Sequence, residues 1–499
     1  MGIVIRQSII STIISYVGVA IGYINLLYLY PKFLDTEQVG LLRTIQDAAI
    51  LFTPFAQFGL AQSMVRYFPR LVSSKESSGS FITLMLLLAI AGFGVFFILF
   101  KVFEGPILLY FEDNAQEIIS YSSLILWLTL ILLIVAILEA YSRSLIKNII
   151  PNLLREVVAR LLLAVFVFLY FSGYLSFHAF IVSTAVAYLI CLTILISYLW
   201  SQGELKINLK LGGLDKAALP ELFKYSLLSF AGTAGLIIVG KVDSIMVAGM
   251  LGLAANAVYT TAFYMATVIE VPKRALSQVA MPLIARAFEK KDMVEINSIY
   301  QKTAINQFII GSLILIGVWA NLENIFEIMP KGNIYEVGKW VVVIVGFGKL
   351  MDMLFGPSSE IIVLSKYYAF NIILILVLAA SVITLNNTLI PIYDINGAAI
   401  GAAFALVFFN LIKFIFIWAV LKIQPFSWAT LKVLAITLLT LALNYLIPKM
   451  DNVFLDIFIR SAVITLFYST LILISKASPD GNKIFGSALT FIGVRKPKD

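Results

Sequence analysis

The sequence predicts an all-α integral membrane protein of about fourteen transmembrane helices. Three observations carry that prediction. The first is composition: 61% of the 499 residues are hydrophobic and 13% are charged, about half the charged share of a soluble domain. The second is that apolar stretches recur almost edge to edge. Each is long enough to cross the ~30 Å hydrocarbon core at about 1.5 Å per helical residue. The third is an alternation of Lys and Arg between the connections on the two sides.

The stretches fall at roughly 8–30, 41–65, 81–103, 120–142, 153–172, 177–200, 225–250, 256–281, 303–322, 338–363, 367–390, 396–420, 428–448 and 453–475. Hydrocarbon offers backbone groups no partner, so each must be a helix or a barrel strand. Barrel strands would alternate polar and apolar residues in runs of about ten. The segment 122–137 is apolar on all sides, so it reads as helix. Only Arg6 precedes the first stretch, which is too long for the core of a cleaved signal. Cys191 is the single cysteine and lies inside a stretch, which excludes an intrachain disulfide and a cysteine metal site. The single histidine, His178, reads as a polar cap at an outer membrane interface.

With an even number of spans both termini share a side. That side collects 27 of the 36 Lys and Arg residues, and the opposite side holds 7. Two, Lys241 and Lys349, lie deep in stretches. This asymmetry predicts cytoplasmic termini in a multi-pass protein of the cell inner membrane. The net charge of +8 is then a matter of topology, and no nucleic-acid partner is expected.

The longest polar connection, 201–224, carries Gly203, Gly212, Gly213 and Pro220. It divides an N-terminal lobe, 1–200, from a C-terminal lobe, 225–422, with two further helices and a tail in 423–499. The lobes look like a parallel repeat. The outer turn FLDTEQVGLLRT at 33–44 matches MLGLAANAVYTT at 250–261 in length and placement. Each following stretch carries an internal proline, Pro54 and Pro272, and ends in a proline followed by a basic residue. With Pro357, these prolines break helical hydrogen bonds and read as kinks or hinges. Gly18 with Gly22, and Gly397 with Gly401, mark close helix packing. The terminal segment 481–499, with Arg495, Lys496 and Lys498, reads either as a basic tail on the anionic inner leaflet or as disordered chain.

Charge within a bilayer costs at least ~2.5 kcal/mol per residue, so it faces a partner or a wet cavity. Lys241 and Asp243 are two apart and point to different sides, so at least one needs a partner on another helix. Lys349 and Asp352 are three apart, and Arg43 and Asp47 four apart; each couple has the spacing to pair within its own helix. Glu270 lies near the middle of its stretch and Asn25 in the first. Lys and Arg at this depth suit phosphate or pyrophosphate. The carboxylates Asp243, Glu270, Asp352 and Asp47 suit ion coupling through Na⁺ or H⁺. No phosphate-binding Gly-rich loop ending in Lys-Ser or Lys-Thr occurs, and no HExxH or Cys/His cluster. No enzymatic activity and no cofactor beyond a coupling ion is expected. The outer connection 102–119, with Glu104, Glu112, Asp113 and Glu117, reads as a solvated acidic loop.

Several segments resemble the polysaccharide-flippase (O-antigen type) branch of the multidrug/oligosaccharidyl-lipid/polysaccharide (MOP) exporter superfamily. They are RQSII at 6–10, FLDTEQVGL at 33–41, KVDSIMV at 241–247 and SQVAMPLIA at 277–285, on a six-plus-six-plus-two layout. The resemblance implies a V-shaped bundle working by alternating access. It implies transfer of an undecaprenyl-pyrophosphate-linked oligosaccharide from the cytoplasmic to the periplasmic leaflet for surface polysaccharide. Partners would be that lipid-linked oligosaccharide, membrane lipids, and the polysaccharide polymerase with its chain-length machinery. By position, Arg43, Lys241, Lys349 and Asn25 would bind substrate. Relatives that flip the peptidoglycan lipid precursor have a sodium site with an aspartate in the seventh span. Asp243 matches it, with Asn386 and Asn387 as companions. Those relatives usually carry several arginines in spans 1, 2 and 8, whereas this chain has only Arg43 in the outer part of span 2, which makes that identity the weaker match. The alternative reading is a cation-coupled multidrug antiporter; a membrane glycosyltransferase or polymerase ranks lower.

Overall fold

A computed structural model describes residues 2–72, 74–208, 218–478 and 481–482. The middle of the expected linker, 209–217, and the tail from 483 onward, with Arg495, Lys496 and Lys498, lie outside the described residues. All secondary structure among the described residues is helical. The principal helices are α1 (Gly2–Ile24), α2 (Thr36–Gln57), α3 (Leu60–Leu71), α4 (Lys75–Glu112), α5 (Ser122–Ser144), α6 (Ala159–Phe171), α7 (Phe177–Ser201) and α8 (Leu219–Leu251). They continue as α9 (Leu253–Thr267), α10 (Val271–Glu289), α11 (Met293–Ile328), α12 (Lys339–Leu354), α13 (Ser358–Leu364), α14 (Tyr368–Leu421), α15 (Trp428–Asn444) and α16 (Val453–Ile474).

Each of the fourteen apolar stretches is helical, but several are interrupted. Eight helices are long and apolar enough to cross a bilayer alone, or up to ten when two bent pairs each count as one span. The 54-residue run α14 is two helices, one for each of two stretches, divided at Asp394, whose backbone is non-helical at φ 51°, ψ −138°. A π turn, Leu154–Val158, leads into α6, and a 3₁₀ turn, Val268–Glu270, divides α9 from α10. α15 has 17 residues and is short for a span. Together these helices make a multi-pass membrane protein. Large apolar side chains such as Ile98, Trp418 and Leu466 stand exposed on the helices, as lipid-facing residues do.

The helix breaks follow local chemistry. α2 and α3 meet at 45° across Phe58 and Gly59, both in left-handed backbone, four residues after Pro54. α12 and α13 meet at 47°, with Gly356 at φ 59° and Pro357 capping α13. Pro272 opens α10 directly after the 3₁₀ turn. α4 is 38 residues long, hence ~57 Å, well beyond the ~30 Å core. It corrects the expected acidic loop at 102–119: helix runs to Glu112, and a second helical turn forms at Glu117–Ser120. The segment's apolar residues favour helix continuation, and its acids decorate that helix.

The chain packs as two compact units, Met1–Thr260 and Thr261–Asp499. In the first, α8 and the start of α9 pack with the helices that precede them. Its core gathers Phe81, Ile82, Leu133, Ile137 and Tyr141. The second unit has one core around Phe308, Ile316, Ile464 and Tyr468 and another around Ile284, Tyr300, Ile361 and Ile417. Its α16 is clamped by Arg460, which donates to both oxygens of Asp456 at 2.9 Å and to the Asn444 side chain at 3.1 Å. Asn324 of α11 also donates to Asp456, at 2.5 Å.

Candidate functional site

In the first unit α8 runs beside both α2 and α3 and the start of α9 beside α2, and the contact is polar at three levels. At one end Gly40 lets backbones meet: a Cβ there would stand 1.8 Å from the Leu253 carbonyl oxygen. Beside it Asn256 donates to Thr44 Oγ1 at 2.8 Å, both residues buried. At the other end a Cβ on Gly59 would stand 2.1 Å from the Ser226 carbonyl oxygen. The hydroxyls of Ser63 and Ser226 lie 2.6 Å apart, the Arg66 guanidinium sits 4.2 Å over the Tyr225 ring, and Arg70 pairs with Glu221 at 2.6 Å. Small residues here permit close approach, and polar groups bond across the contact, although the buried Asn256 Oδ1 has no hydrogen-bond partner.

Between these ends lies Lys241, whose ammonium donates to Asp47 at 2.5 Å. Asp47 is buried and Lys241 partly so. Asp243, buried to 3% exposure, accepts a 3.0 Å hydrogen bond from the Tyr259 hydroxyl. At least one of Lys241 and Asp243 is expected from the sequence to need a partner on another helix or a wet cavity; Lys241 meets Asp47 of α2, and Asp243 meets Tyr259 of α9. The expected Arg43–Asp47 pair does not form. Asp47 turns to Lys241, and Arg43, one turn away, joins no ion pair among the described residues. Its guanidinium carbon lies 5.7 Å from the Tyr30 ring centroid, and its Nε is buried without a hydrogen-bond partner. Asn25 is buried and donates to the Arg160 carbonyl at 2.8 Å, which ties the π turn at Asn25–Leu29 to α6.

The second unit holds a reciprocal set of charges. Glu270 and Lys273 are three apart on one helical segment, and Lys349 and Asp352 three apart on α12. Each acid faces the base of the other helix. Lys349 donates to Glu270 at 2.5 Å, and Lys273 pairs with Asp352. Cross-pairing thus replaces the expected Lys349–Asp352 couple. Asn410 of α14 adds a 2.9 Å hydrogen bond to Asp352. Close by, Lys413 is buried to 1% exposure, donates to Ser359 Oγ at 2.9 Å and lies 4.2 Å from the Phe409 ring centroid. Asn386 is buried and the adjacent Asn387 exposed, so these two do not converge on one ion. No cluster of three or more His, Cys, Asp or Glu side chains able to hold a metal occurs among the described residues.

Lys273, Asn410, Lys413, Asn256, Thr44 and Tyr259 were missed by sequence reasoning. Lys273 and Lys413 lie eight and seven residues inside the stretches 256–281 and 396–420, a depth that counting them with the inner connections overlooks. A usable signal existed for Lys413: it is the one charge between Asp394 and Lys422. His178 is exposed beside Tyr121, with Nδ1 3.3 Å from the hydroxyl and the rings stacked. Cys191 is buried and free.

An all-helical membrane bundle with ion pairs between its helices does not by itself define a role. Solved structures agree on the fold. One titled Lipid II flippase MurJ, inward closed conformation, is 15% identical, with a TM-score of 0.75 over 94% of this chain and 99% of that one. A multidrug resistance MATE family transporter of the MOP superfamily, inward-facing, is 14% identical, with a TM-score of 0.62 over 84% and 98%. A MOP superfamily transporter from Pyrococcus furiosus is 13% identical, with a TM-score of 0.56 over 84% and 95%. A search of curated proteins finds no match. Residues 4–288 match the family described as "Polysaccharide biosynthesis protein", and the chain belongs to that family.

Proposed function

We propose that this protein is a flippase that carries an undecaprenyl-pyrophosphate-linked oligosaccharide from the cytoplasmic to the periplasmic leaflet of the inner membrane. The work is transport, with no catalytic step, and both termini lie in the cytoplasm. The observation that carries this reading is Lys241 held by Asp47, with Arg43 one turn away on α2, its guanidinium over the Tyr30 ring and its Nε without a hydrogen-bond partner. A pyrophosphate offers Lys241 a stronger anion than one carboxylate and gives the Arg43 fork its acceptors. Displacing Asp47 would loosen α8 from α2 in mid-contact. Separation could then proceed toward the Ser63–Ser226 end or toward the Thr44–Asn256 end, giving two openings in turn. Lys349, in its pair with Glu270, and Asn25 complete the proposed binding set. Asp243, Glu270, Asp352 and Asp47 are the carboxylates proposed to couple Na⁺ or H⁺, with Asp243 first for Na⁺. Membership of the polysaccharide biosynthesis family supports the substrate class, and supports O-antigen, capsule or exopolysaccharide as the product. The polymerase and its chain-length machinery are the expected partners.

The test is surface polysaccharide in a deletion strain complemented with Lys241→Ala or Arg43→Ala, at matched protein level. Both variants should fail to restore polymer. Full restoration by both overturns the assignment. The likeness to a multidrug MATE transporter favours a second reading, cation-coupled drug efflux. Under that reading Asp243→Asn should abolish Na⁺-driven efflux from vesicles and leave polymer unchanged.

A further inference from the structure

A second site lies in the first unit, one helical turn from the Lys241–Asp47 pair. It is a cavity of about 310 Å³ walled by α2, α5, α6, α7 and α8. Ile50 of α2, three residues from Asp47, and Ile237 of α8, four from Lys241, form two of its walls. Small residues on facing walls, Ala136 and Ala159, leave the space open. Two charged side chains reach it, Glu139 and Arg155, and they bond each other at 2.9 Å, with Arg155 also held by Glu156 at 3.2 Å. Their charges are mutually satisfied, so they recruit neither an ion nor a phosphate. Water needs two to four polar partners; an apolar cavity without them stays dry and accepts apolar ligands.

We infer that this cavity binds an aliphatic chain segment, the tail of a membrane amphiphile, whose charged head stays outside. At ~30 Å³ per water-sized group the volume holds roughly ten carbons. That is two isoprene units or a ten-carbon stretch of acyl chain. A chain seated there touches both α2 and α8 and so buttresses their pairing. The inference stands on the cavity alone and holds whatever the protein transports.

Cys191 lines the cavity and is the only cysteine in the chain, so its alkylation reports occupancy directly. The full chain, delipidated in a bile-salt detergent that carries no linear alkyl chain, would be treated with N-ethylmaleimide, with or without geranyl phosphate or decanoate. The expected result is at least tenfold slower alkylation with a ten-carbon chain. Protection by geranyl phosphate alone assigns a prenyl occupant, protection by decanoate alone an acyl one, and protection by both any aliphatic chain. A photoreactive geranyl phosphate should also crosslink to α5 or α6. Ala136→Phe and, independently, Ala159→Phe fill the space and should remove both signals in protein that still elutes as a folded particle. Absence of protection and of crosslinking by either chain overturns the inference. So does labelling that survives both filling variants.

Discussion

Gly40→Ala tests the packing of α2 against the turn between α8 and α9. An added Cβ would sit 1.8 Å from the Leu253 carbonyl oxygen. The neighbour is backbone, so no side chain can swing away to make room. Restoring a tolerable carbon–oxygen separation of roughly 3 Å requires backbones to part by about an ångström. Overpacking of this kind costs ~1–3 kcal/mol. At ~1.4 kcal/mol per tenfold, that shifts the closed arrangement at this end by about 5- to 150-fold. The 2.8 Å hydrogen bond from Asn256 to Thr44 lies four residues along α2 and should be lost with it. The assay is disulfide formation between Thr44→Cys and Asn256→Cys in a Cys191→Ser background, with thermal unfolding in detergent alongside. Crosslinking should slow at least fivefold and the melting temperature should fall. Equal crosslinking rate and equal melting temperature in Gly40→Ala would refute the close approach on which the argument rests.

Two further outcomes follow from strain and charge. Asp352→Asn leaves Lys273 uncompensated next to buried Lys413, and breaking such a pair costs ~3–5 kcal/mol; thermal melting should show the loss. The double variant Lys273→Met with Asp352→Leu should recover most of it, since apolar replacement of a whole buried pair is often neutral. Asp394 holds φ 51°, ψ −138° at the break in α14, so Asp394→Gly should stabilise by ~1 kcal/mol and raise the melting temperature.

Much of this architecture was legible because apolar length and charge alternation are local signals. The places of α4, α5, α7 and α16 can be read directly from hydropathy. The interruptions were only half legible. Pro54, Pro272 and Pro357 mark bends, but the break at Asp394 carries no proline at its own position; it depends on Gly397, where a Cβ would stand 2.1 Å from the Leu389 carbonyl oxygen. For the site, sequence spacing found the charges and mispaired them. Lys349–Asp352 and Arg43–Asp47 have good intrahelical spacing, yet each acid has a better partner across a helix interface. Spacing reports which side chains share a face and is silent on what that face meets. The cavity beside Cys191 leaves no trace in sequence at all, since it arises from five helices failing to fill one space.

The cross-paired charges Glu270, Lys273, Lys349 and Asp352 bear on how this chain can change over generations. Reversing one of them places two like charges together in a buried setting, so a lone reversal is closed to drift. Reversing both members of one pair restores attraction there but sets the pair against its neighbours. The neutral route is exchange of all four signs, or loss of a whole pair to apolar residues.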